Sequence, residues 1–124
     1  MTGHPDHREI SRWTTDAWAA VRPNADLWYA TCTAEFHDKW GEINDQIGLW
    51  EYQSEPPYTD ARDLARSTLL AEDLLDLKMA ALRAHASQTA PLIDLVGEAT
   101  YREWWSVESF RSADLAHAAA RRAA

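Results

Sequence analysis

The chain has 124 residues, 46% of them hydrophobic and 26% charged, which describes a globular protein long enough for one buried core and not a disordered chain. Twenty acidic residues against twelve basic ones give a net charge of −8, which argues against nucleic-acid binding because phosphate contact needs basic side chains. No apolar run approaches the length of a membrane span, there is no signal-peptide pattern, and a lone Cys32 suits a reducing compartment. The expectation is a soluble cytoplasmic protein that binds neither nucleic acid nor membrane.

The chain opens on Gly3-His4-Pro5-Asp6-His7. A histidine pair spaced i, i+3 shares one side of a helical turn, and Pro5 suits a first turn, where its missing N–H costs nothing. Ile10, Trp13, Thr14, Ala17, Trp18 and Val21 then recur at helical spacing, predicting a helix from about His7 to Val21 that stops at Arg22-Pro23. Residues 27–33 form a short, apolar, partly β-branched run, predicting a strand covered on both faces, the habit of parallel sheets. Thr33 is placed to cap a second helix with Phe36, Trp40, Ile43 and Ile47 on one face and Gly48 as its stop.

Residues 49–63 look irregular. Their aromatics and prolines suit either a wall of a sugar-binding cleft or a surface connector. A second strand is expected over Leu64–Leu70, then a helix over Glu72–Ala86 with Leu74, Leu75, Met79 and Leu82 inward. A short helix starts at Thr89-Ala90-Pro91 and ends at Gly97, another covers Glu98–Trp105, and Val107–Phe110 is extended. The alanine-rich tail, 113–124, suits a terminal helix. Alternating helices and strands indicate an α/β fold in one domain, although two or three strands are marginal alone and so apolar a strand is a poor exposed edge.

His4, Asp6 and His7 are the candidate site. One imidazole on zinc, the other beside a substrate, and a carboxylate fixing a tautomer is a workable division of labour for metal-assisted hydrolysis. It is incomplete, because a catalytic zinc takes about three protein ligands. The other polar residues read as structural. Ser87 and Gln88 are placed to bond the last carbonyls of the helix that ends at His85, Asp38, Glu42 and Asp45 form a solvated helix face, and Cys32 is a small buried hydrophobe.

Two stretches together resemble the PIG-L, or LmbE-like, family of metal-dependent de-N-acetylases. The first is Gly3-His4-Pro5-Asp6-His7 with its following helix and the Leu27–Thr31 strand. The second runs from Lys78 through Ala84-His85-Ala86-Ser87-Gln88 to Glu108-Ser109-Phe110-Arg111. The resemblance spans nearly the whole chain and implies the helix-rich C-terminal half of a Rossmann-like α/β fold. It implies removal of an acetyl group from an N-acetylglucosamine-containing substrate with zinc, or iron. His7 would be a metal ligand, His4 would stabilise the oxyanion or protonate the leaving amine, and Asp6 would hold His4. The family's His-Pro-Asp-Asp-Glu segment, which supplies two further ligands and the general base, does not occur here. The expectation is therefore a fragment, inactive by itself, or one half of a split enzyme completed by an HPDDE-containing chain. The alternative is a non-catalytic acidic binding module.

Overall fold

The computed structural model describes residues 4–21, 24–49 and 58–113. Gly3, the Arg22-Pro23 stop, the aromatic stretch 50–57 and the alanine-rich tail beyond Ala113 lie outside the described residues. The fold is a mixed α/β arrangement in the order α1 (Pro5–Val21), β1 (Trp28–Ala30), α2 (Ala34–Gln46), a 3-10 turn (Ala61–Asp63), β2 (Arg66–Leu69), α3 (Glu72–Ala84), α4 (Ala86–Val96), α5 (Glu98–Trp104) and β3 (Val107–Ser112). The chain divides into two compact units, Met1–Arg66 with Ser109–Ala124, and Ser67–Glu108.

The strands form one sheet in the order β1-β3-β2. β1 pairs with β3 antiparallel, Trp28 opposite Ser112, Tyr29 opposite Arg111 and Ala30 opposite Phe110. The β2–β3 bonds, Ala65 N–H to Phe110 C=O and Leu70 N–H to Ser106 C=O, also run antiparallel. The expected parallel pairing of β1 is thus corrected. β1 is also shorter than expected: Thr31 N–H still bonds Ser109 C=O, and beyond it the buried Cys32 leads into the Thr33 cap of α2.

In the first unit α1 turns an unexpected face inward. Thr15 is its one buried residue: the hydroxyl donates to Ser11 C=O at 2.7 Å and bonds the Tyr29 hydroxyl. Trp18 Nε1–H donates to Ala25 C=O at 3.0 Å. Ile10, Trp13 and Val21, whose spacing marked the helix, are exposed. α2 begins as predicted, with Thr33 Oγ1 accepting from Phe36 N–H. It ends in a Schellman turn: Gly48, at φ 64°, donates to Asp45 C=O and Leu49 to Asn44 C=O.

The second unit packs α4 against α3 and α5. Leu75, Met79, Tyr101 and Trp104 are its buried apolar residues, with Tyr101 and Trp104 edge to face at 6.0 Å, whereas Leu74 is exposed. Lys78 Nζ donates to Trp105 C=O at 2.7 Å and to Glu108 Oε1 at 2.5 Å while lying over the Trp105 ring, tying α3 to the start of β3. α4 starts earlier than its Pro91 suggests. The Thr89 hydroxyl is shared between Leu82 C=O, in the last turn of α3, and His85 C=O, and Ser87 and Gln88 sit exposed in the first turn of α4.

Candidate functional site

The site grows out of the way α1 begins. The helix starts at Pro5, two residues before the predicted start, so His4 is not in a loop but is the residue that caps the first turn. Its carbonyl accepts from Arg8 N–H at 3.1 Å, the first helical bond, and its ring Nδ1 accepts from Asp6 N–H at 3.2 Å. A side-chain acceptor reaching the second helical N–H is the ordinary capping arrangement, here performed by an imidazole.

That bond fixes the ring. A nitrogen that accepts an N–H bond carries no proton, so neutral His4 holds its proton on Nε2. The Asp6 carboxylate lies 3.9 Å from the same Nδ1, too far for a hydrogen bond. The backbone of Asp6, not its carboxylate, therefore makes the orienting contact. The His4 side chain is 40% exposed and that of Asp6 81% exposed. His7, one turn on, brings its ring centroid to 5.7 Å from that of His4 at a tilt of 55°. The i, i+3 spacing thus places the three predicted residues at one helix end, as the sequence anticipates.

The electrostatics of a helix N-terminus favour an anion and disfavour a cation. Asp6 in the first turn offsets that partial positive charge. Among the described residues, however, no group of three or more His, Cys, Asp or Glu side chains could hold a metal ion.

The remaining candidates are structural. Cys32 is 3% exposed, and burial pushes its thiol up to about 11, which makes it a poor nucleophile. Asp38, Glu42 and Asp45 are exposed on α2. His85 joins α3 to α4 as the residue between the two helices. Tyr58, the described residue next to the aromatic stretch, is exposed and donates from its hydroxyl to Asp60 Oδ1, which also receives an Arg62 pair at Oδ2. No helix among the described residues is long and apolar enough to cross a membrane. Compared with protein-family models, with curated proteins and with solved structures, the chain matches none.

Proposed function

We propose that this chain carries the histidine half of a metal-dependent amide hydrolase, a PIG-L-like enzyme that removes acetyl groups from N-acetylglucosamine-containing compounds. In this reading it is the helix-rich C-terminal half of a Rossmann-like fold. The supporting observation is the geometry at the head of α1. His4, its Nδ1 taken by the Asp6 amide, offers an Nε2–H toward an oxyanion or a leaving amine, with the His7 ring 5.7 Å away. His7 is the metal ligand. Asp6 positions His4 through its backbone and adds negative charge beside it. The positive end of the helix favours the same oxyanion.

The reading requires ligands from elsewhere, because the described residues do not assemble a metal site. Carboxylates from a further segment or chain of the HPDDE kind complete it. The test is isothermal titration with zinc beside a deacetylation assay on an N-acetylglucosaminyl substrate. Alone, the chain is expected to bind zinc weakly and to hydrolyse nothing. With an HPDDE-bearing half supplied, both affinity and activity appear. His7→Ala then abolishes the gain in affinity, whereas His4→Gln keeps the metal and lowers turnover by about 10²- to 10⁴-fold. Tight stoichiometric zinc binding by the chain alone would overturn the half-site reading. Failure of every complementing half to raise zinc affinity or activity would overturn the hydrolase reading.

A further inference from the structure

We draw no further inference here: the strongest candidate, the exposed apolar stripe of α1 formed by Ile10, Trp13 and Val21, carries none because nothing in the structure shows what covers it.

Discussion

Asn44 is fully buried on α2, yet neither its Nδ2 nor its Oδ1 finds a hydrogen-bond partner. An amide taken from water without replacement bonds costs about 1–3 kcal/mol, whereas an apolar side chain of similar volume contributes on burial. Asn44→Leu is therefore expected to raise stability by about 1–2 kcal/mol, read as a higher midpoint in thermal or urea unfolding. A drop of similar size would show that the amide is bonded in solution and that its retention is structural. The buried threonines nearby in sequence behave differently, because their bonds are made: the Thr31 and Thr59 hydroxyls meet at 2.7 Å. Burial of a polar atom is thus penalised at one position and satisfied at another, and only the partner atoms distinguish the two.

At the scale of the element, α1 shows what a hydrophobic pattern carries and what it omits. The 3.6-residue recurrence of Ile10, Trp13, Ala17 and Val21 identified a helix, and a helix is there. The pattern did not identify the buried face, because that face is chosen by Thr15, whose hydroxyl reaches Tyr29 from a different element. A tertiary partner of this kind leaves no trace in local spacing. Two substitutions separate the faces. Trp13→Lys, on a residue 60% exposed, is expected to change stability by less than about 0.5 kcal/mol. Thr15→Val keeps the shape but strands the Tyr29 hydroxyl, and a loss of about 1–2 kcal/mol is expected in the same unfolding measurement. If Trp13→Lys proves the costlier change, the apolar stripe is covered in solution.

The same distinction explains the other elements. The Thr33 cap and the Gly48 stop of α2 were legible because each is a local bond or a local φ requirement. The start of α4 was not, since Thr89 acts on carbonyls of the preceding helix, and Pro91 was the louder local signal. The antiparallel sense of β1 was likewise hidden, because the apolarity of residues 27–33 comes partly from Cys32, buried beyond the strand's end. At the candidate site the nearness of His4 and His7 followed from their spacing. The use of His4 Nδ1 as a helix cap did not, because a histidine is an uncommon capping residue and the helix had been expected to start after it.

For the whole molecule the decisive contrast is what each compact unit buries. In Ser67–Glu108 the buried set is Leu75, Met79, Tyr101 and Trp104 with one threonine, Thr89. Among the described residues of the other unit, Cys32, Trp40 and Ala113 are joined by Thr15, Thr31, Asn44 and Thr59. A fully buried large apolar side chain contributes about 1.5–3 kcal/mol, whereas a satisfied buried hydroxyl nets about 1 kcal/mol and an unsatisfied amide subtracts. Lys78 adds a part-buried clamp to the second unit through Glu108 and Trp105 C=O, while the Arg102 pairs with Glu72 and Asp76 are more exposed and add little. Local opening should therefore be cheaper in the first unit. Amide hydrogen exchange under native conditions is expected to show the amides of α3 and α5 exchanging about tenfold or more slowly than those of α1, whose length of 17 residues does not compensate for a single buried side chain. Asn44→Leu should narrow the gap from the α2 side without altering exchange in α3. Equal protection of α1 and α5 in the wild type would mean that the two units open together, and the difference in what they bury would then have no bearing on how the protein comes apart.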